Sequence, residues 1–163
     1  NPGSWIAWTI DDARSRLLAF VRRTVDRRRR HPVIRRRRFF EGRALRGVEV
    51  KDVVWLKPDG TEMSEEEWNH HFARCLGMFL GGEHLGETDA QGRPVTDDDF
   101  IVLFNAHDGE IRFTLPAFDG SRWMALLDTS RDHGLLPDGT YAADSNYSLA
   151  GRSLVLLRKE SSA

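Results

Sequence analysis

The sequence predicts a mainly β protein, an antiparallel β-sandwich preceded by one long α-helix. Three observations predict it. Leu17, Val21 and Val25 form a helical stripe that runs into four arginines and a proline. Further on, apolar runs of strand length recur about every 8 to 15 residues with no intervening helix longer than a turn. Between them stand the turn signals Pro58-Asp59-Gly60, His107-Asp108-Gly109 and Pro137-Asp138-Gly139.

The helix comes first. Thr9 followed by Asp12 has the form of a capping box, and Asp11 and Asp12 place negative charge in the first turn. Leu18 and Thr24 lie beside the Leu17, Val21, Val25 stripe. Arg27 to Arg30 sit in the last turn, where cations suit the negative end of the helix dipole. Pro32 stops the helix and pushes His31 toward extended geometry. These signals place the helix over about residues 11 to 30.

Strand grammar follows. Val33-Ile34 and Phe39-Phe40 flank Arg35 to Arg38, a run that no buried helix tolerates. Val53 to Leu56 reads as a strand, and Pro58-Asp59-Gly60 turns it into Thr61-Glu62-Met63. Ser64 to Glu67 is a second capping box, predicting a helical turn around Glu65 to Asn69. Phe72 to Leu80 is an apolar strand broken by Gly77, and the polar, glycine-rich stretch 81–98 reads as an exposed loop. Phe100 to Phe104 and the alternating Ile111, Phe113 and Leu115 make a hairpin about His107-Asp108-Gly109. Trp123 to Leu127 is another strand, Leu135 to Gly139 a turn, and Leu154 to Leu157 the last strand. The expected sandwich has eight strands or a similar number.

Composition narrows the function. With 163 residues, 40% hydrophobic and 30% charged, the chain has enough material for one real core without staples. A single cysteine, Cys75, cannot close an intramolecular disulfide, and no apolar run has the length of a membrane span or a secretory signal. A cytoplasmic location and no membrane partner are expected. The Asn146-Tyr147-Ser148 sequon is then read as chance. The net charge of −1 hides an asymmetry, because residues 1–50 hold 14 arginines and no lysine against five acids. Arg27–Arg30 and Arg35–Arg38 could track a phosphate backbone, but they lack interleaved stacking aromatics. The favoured reading is that they cap the helix and pair with the acidic remainder, so no nucleic acid is expected.

No nucleophile elbow, phosphate loop or dinucleotide fingerprint is present, and no catalytic residue, cofactor or metal is expected. Asp97-Asp98-Asp99 and Glu65-Glu66-Glu67 cluster carboxylates, but adjacent residues point apart, whereas glycoside hydrolysis needs two carboxylates facing each other across about 5 to 10 Å. They read as a solvated loop and a helical first turn. His70-His71 lack a third ligand at metal spacing. Trp5, Trp8, Trp55, Trp68 and Trp123 could stack on sugar rings, but core packing is the default for tryptophans in a β protein.

Three stretches together resemble the glycogen-debranching and isoamylase branch of the α-amylase superfamily. Asn1-Pro2-Gly3-Ser4-Trp5-Ile6-Ala7-Trp8 resembles a segment late in that family's catalytic barrel, with Pro2 and Ala7 standing where the family has Glu and Asp. Arg30-His31-Pro32 with Arg37-Arg38-Phe39-Phe40-Glu41-Gly42 is similar to its joint between barrel and C-terminal domain. Asp52-Val53-Val54-Trp55-Leu56-Lys57-Pro58-Asp59-Gly60-Thr61-Glu62-Met63, followed by Trp68, resembles its run of Asp, Trp, Asp-Gly, Glu-Met and a later Trp at the same spacing. Leu103-Phe104-Asn105-Ala106, Leu127-Asp128-Thr129 and Gly151-Arg152-Ser153 fit the later strands.

The resemblance implies that residues 1–44 are the final helix and joint of a truncated (β/α)8 catalytic barrel and residues 45–163 a C-terminal β-sandwich. It implies a parent glycoside hydrolase that cleaves α-1,6 branch linkages in glycogen or limit dextrin by a retaining two-carboxylate mechanism. The carboxylates of that mechanism all precede Asn1, so this part would be structural support for the barrel, its partner. Substrate contact is implied at Asn1 and Trp5, with a branched α-glucan as the further partner. The alternative is an autonomous glucan-binding sandwich, which needs two or more tryptophans exposed on one face.

Overall fold

Side chains that alternate along a strand sort themselves onto two faces of a sheet, and what covers each face decides the architecture. The computed structural model describes residues 3, 9–42, 51–69, 74–83, 85–118, 122–131, 134 and 139–160. Helix α1 spans Asp12–Arg30, a 3-10 turn Pro32–Arg35, and a one-turn helix α2 Glu65–Trp68. The strands are β1 Val53–Leu56, β2 Cys75–Leu80, β3 Phe100–Asn105, β4 Ile111–Thr114, β5 Arg122–Asp128, β6 Thr140–Ala142, β7 Asn146–Leu149 and β8 Ser153–Glu160. Six of them form an antiparallel sheet in the order β1-β2-β3-β8-β5-β6, and β4 and β7 form a second, two-stranded antiparallel sheet. The expected antiparallel sandwich with one long helix is what the chain adopts.

The inner face of the large sheet carries Leu56, Phe79, Ile101, Leu103, Trp123, Ala125, Val155 and Leu157, which pack with Phe113, Leu115, Tyr147 and Leu149 from the side of the small sheet. The outer face carries Val53, Leu80, Phe100 and Leu156, covered by Val33 from the 3-10 turn, Leu85 from the long loop and, partly buried, Phe40. A bulge in β5 between Ala125 and Leu127 departs from this alternation. It lets both Leu126 and Leu127 join the outer cluster while Asp128 turns inward, where its carboxylate accepts a 2.7 Å hydrogen bond from the Tyr147 hydroxyl.

Several expectations are corrected. Asp11, not Thr9, caps α1: its carboxylate accepts from the Arg14 N–H at 2.8 Å. Val33-Ile34 form the 3-10 turn rather than a strand, because Pro32 pre-sets a helical φ at its start. Gly77 does not break its strand. It sits within β2 because a Cβ there would lie 3.0 Å from Leu56 Cβ and 3.2 Å from a Leu103 methyl. The stretch 81–98 is not merely an exposed loop, since Leu85 is buried under it. Strands β6 and β7 are additional to the expected ones, and the Asn146-Tyr147-Ser148 sequence forms most of β7. Phe72, Leu135, Pro137 and the 44/45 boundary lie outside the described residues.

Gly82 shows how closely the long loop is fitted. A Cβ on it would lie 2.3 Å from the carbonyl oxygens of both Asp97 and Asp98. Backbone cannot yield as a flexible side chain does, so Gly82→Ala is expected to destabilise the chain by about 2 to 3 kcal/mol, read as a lower urea midpoint.

Candidate interface at the helix–sheet joint

Residues 31–42 connect α1 to the sheet, and among the described residues three carboxylates, Asp52, Glu87 and Asp97, take up several of their N–H groups. Asp52, at the foot of β1, is buried. Its Oδ2 accepts from Arg36 Nη1 at 2.8 Å and from the Glu41 N–H at 3.1 Å, and its Oδ1 accepts from the Gly42 N–H at 2.9 Å. Arg36 is itself buried, and its guanidinium lies 4.5 Å from the centre of the Phe40 ring. Asp97 accepts from the Val33 N–H at 3.0 Å with one oxygen, while the other meets His31 Nδ1 at 2.9 Å and the Asp98 N–H at 2.8 Å. His31 stands edge-on to Phe100, ring centres 4.7 Å apart. Glu87 accepts from the Arg37 N–H at 2.7 Å.

Asp97 is therefore not part of a solvated loop, as its sequence neighbours suggested, but a grip on the helix end. His31, Asp97 and Asp98 do bring three potential ligand atoms within 4.8 Å of one another. The oxygens of Asp97 are already occupied by the backbone and the imidazole, so the group acts as a structural knot. Glu65 to Glu67 do form the first turn of α2, with the Ser64–Glu67 capping box closed on both sides.

The helix itself is held from one side. Arg27 Nη1 donates a hydrogen bond to the Leu126 carbonyl, at the β5 bulge. Burial lowers the Arg27 pKa, and the like charge of Arg23 adds to that. Phe20 and Leu127 both crowd Gly134, each with a carbon 2.7 Å from where a Cβ would stand. Arg28 Nη1 donates to the Ile34 carbonyl at 2.7 Å, and Arg30 pairs with Asp26 at 2.7 Å. From the arginine runs, Arg27 and Arg36 thus bind the β-domain, Arg28 ties the helix end to the 3-10 turn, and Arg27 to Arg30 stand in the last turn of α1. At 100° per residue, Phe20 and Arg27 lie about 110° round the helix from the centre of the apolar stripe. That stripe is open: Leu17 is 62%, Leu18 37%, Val21 46% and Val25 44% exposed, and α1 has no buried residue.

Of the tryptophans, Trp123 is fully buried in the inner core, Trp55 is half-buried against the outer cluster and Trp68 is 49% exposed, so core packing holds for two of the three described. Asn1, Trp5, Trp8, His70 and His71 lie outside the described residues. No helix among the described residues is long and apolar enough to cross a membrane. Sequence reasoning expected the arginine runs to pair with the acidic remainder without singling out Arg27 and Arg36, and it missed Asp52, Asp97 and Glu87 as the acids that build the joint. Their only local signal was charge, which does not reveal a partner tens of residues away.

The architecture defines an antiparallel β-sandwich with an appended, one-sided helix. Residues 52–158 match the family described as "Isoamylase, C-terminal", and the chain belongs to that family. It is 45% identical over 159 residues to the "Glycogen operon protein GlgX homolog" of Mycobacterium tuberculosis (strain ATCC 25618 / H37Rv), covering 96% of this chain and 22% of the relative. It is 25% identical over 132 residues to "Isoamylase" of Pseudomonas amyloderamosa, covering 79% of the chain and 15% of that protein. "Isoamylase" of Flavobacterium sp is 24% identical over 131 residues, covering 80% and 16%. The chain therefore spans about a fifth of the length of the mycobacterial relative. The 96% coverage takes in α1 as well as the sandwich.

Burial is the largest influence on Asp52 and by itself raises its pKa, but the hydrogen bonds from Glu41, Arg36 and Gly42 outweigh it, so the folded value lies below the ordinary 3.8. A carboxylate depressed in this way stabilises the fold above its unfolded pKa and loses that contribution as pH falls through the lower, folded one. Asp52→Asn is expected to cost about 3 kcal/mol at neutral pH by leaving Arg36 buried without its counter-charge. It should also flatten the loss of stability below about pH 4, a difference that denaturation midpoints across a pH series would show.

Proposed function

We propose that this chain is the C-terminal part of a glycogen-debranching enzyme that hydrolyses α-1,6-glucosidic branch linkages in glycogen or limit dextrin. Within it, residues 1–44 are the final helix and joint of the catalytic (β/α)8 barrel and residues 45–163 the β-sandwich that supports it. The observation that carries this reading is the two-sidedness of α1. A helix of 19 residues without a single buried side chain lacks the tertiary packing on which helices in proteins mostly depend. Arg27 and Phe20 fix one side to the sheet, and the stripe on the other side is left as a contiguous apolar face.

The barrel is the occupant that this face fits, because the relatives carry most of their length outside the matched part. Covering Leu17, Leu18, Val21 and Val25 would contribute on the order of 4 kcal/mol, given that they are already part-covered. The free thiol of Cys75 supports a reducing compartment, the cytoplasm. Branched glucan is the substrate of the whole enzyme in this reading, and the sandwich contributes by holding the barrel's last helix in place.

The test compares residues 1–163 with the complete polypeptide that carries them, both assayed for release of reducing ends from a branched dextrin. Release by the complete polypeptide and none by residues 1–163 is expected; turnover by the shorter chain would overturn the assignment of roles. Val21→Glu separates the interface from the fold. It should change the stability of residues 1–163 by less than about 0.5 kcal/mol and lower the unfolding temperature of the complete polypeptide by several degrees. An unchanged temperature in the complete polypeptide would remove the barrel from this face.

A further inference from the structure

We propose that Trp68, braced by Trp55, is a stacking platform for a neutral oligosaccharide chain on the β-domain; the choice of an α-glucan as that chain rests on the debranching reading. Trp68 ends the one-turn helix α2, and its ring meets Trp55 edge to face, centres 5.4 Å apart at 86°. Trp55 is anchored in turn, as its side chain packs on the outer core cluster and its carbonyl accepts from the Met63 N–H at 2.8 Å. The indole of Trp68 is therefore held in one orientation while 49% of the residue stays in solvent.

The pedestal beneath it is more rigid than four residues need to be. Ser64 and Glu67 close both halves of the capping box. Glu67 is tied to Lys57 Nζ at 3.0 Å, and Lys57 to Asp59 at 3.6 Å, which fastens α2 to the turn after β1. The backbone of Asn69 caps the other end through the Glu66 carbonyl, and its side chain donates to the Glu65 carbonyl at 3.1 Å. Yet α2 places no residue in either core. A fixed, exposed aromatic on a segment that contributes nothing to the cores has the form of a recognition element.

The surroundings select the ligand class. Glu65, Glu66 and Glu67 fill the turn that carries Trp68, so phosphate-bearing ligands are repelled. An apolar protein surface would have to desolvate the same carboxylates without replacing their water. A pyranose does neither. Its C–H face lies on the negative face of the indole, while its hydroxyls donate charge-assisted hydrogen bonds to neighbouring carboxylates.

The experiment uses the complete polypeptide that carries residues 1–163, run in native gels containing graded glycogen. Trp68→Ala is expected to weaken retardation by glycogen about tenfold, as the loss of one aromatic anchor does. Trp68→Phe should keep most of it. Phe39→Ala, which removes an aromatic that is 95% exposed elsewhere, should leave retardation unchanged. Unchanged retardation in Trp68→Ala overturns the proposal. So does a loss of retardation accompanied by a fall of several degrees in unfolding temperature, which would make Trp68 a packing contact with the rest of the polypeptide. Retardation that depends on Trp68 in a polypeptide that cleaves no branched dextrin would sink the debranching reading and leave the platform standing.

Discussion

The buried carboxylate of Asp52 is the constraint on which the rest of this structure depends. A carboxylate in the interior is costly unless every lone pair finds a donor. Asp52 meets that demand by collecting Arg36 and the Glu41 and Gly42 N–H groups, all from the segment that precedes the sheet. The requirement is mutual, because among the described residues that segment joins no strand ladder that would satisfy its backbone. Asp97 and Glu87 repeat the arrangement at the Val33 and Arg37 N–H groups. The basic connection is thus fixed at several points, and α1 leaves the sheet in a defined direction.

That direction gives the apolar stripe of α1 its meaning. The β5 bulge exposes the Leu126 carbonyl to Arg27 and brings Leu127 beside Phe20. Once those contacts are made, the helix cannot roll to bury Leu17, Val21 and Val25 against its own sheet. The clamp on one face and the unpartnered face round the helix are consequences of a single docking geometry.

Inside the sandwich, polar knots do comparable work where strands change layer. Asn105, buried at the end of β3, donates to the carbonyls of Gly109, Leu149 and Ala150 and accepts from the His107 N–H. It ties the β3–β4 turn to the end of β7. Asp128 holds the Tyr147 hydroxyl, and burial followed by that hydrogen bond pushes the Tyr147 pKa up, so the phenol stays a donor. Apolar area drives the two layers together, while these directional bonds set how the small sheet sits on the large one.

What the sequence determined by itself is what depends on neighbours along the chain. The 3.6-residue stripe and terminal arginines mark α1, Ser64 and Glu67 mark α2, and continuous apolar runs mark β3 and β8. Residue-by-residue resemblance carried the family, because motifs such as Asp52 to Met63 keep their order. Weak local signals hid the rest: β6 and β7 are three and four residues long and mostly polar on one side. Nor could one strand reveal that Gly77 is needed by Leu56 and Leu103 on its two neighbours. Only the tertiary structure decided which arginines are spent on the joint, that Asp97 is a grip rather than a solvated loop, and that Trp123 is core while Trp68 faces water. The physical reason is that burial and hydrogen-bond partnership belong to pairs of residues brought together by the fold. Arg27 and Leu126 are 99 positions apart, and no period along the chain connects them.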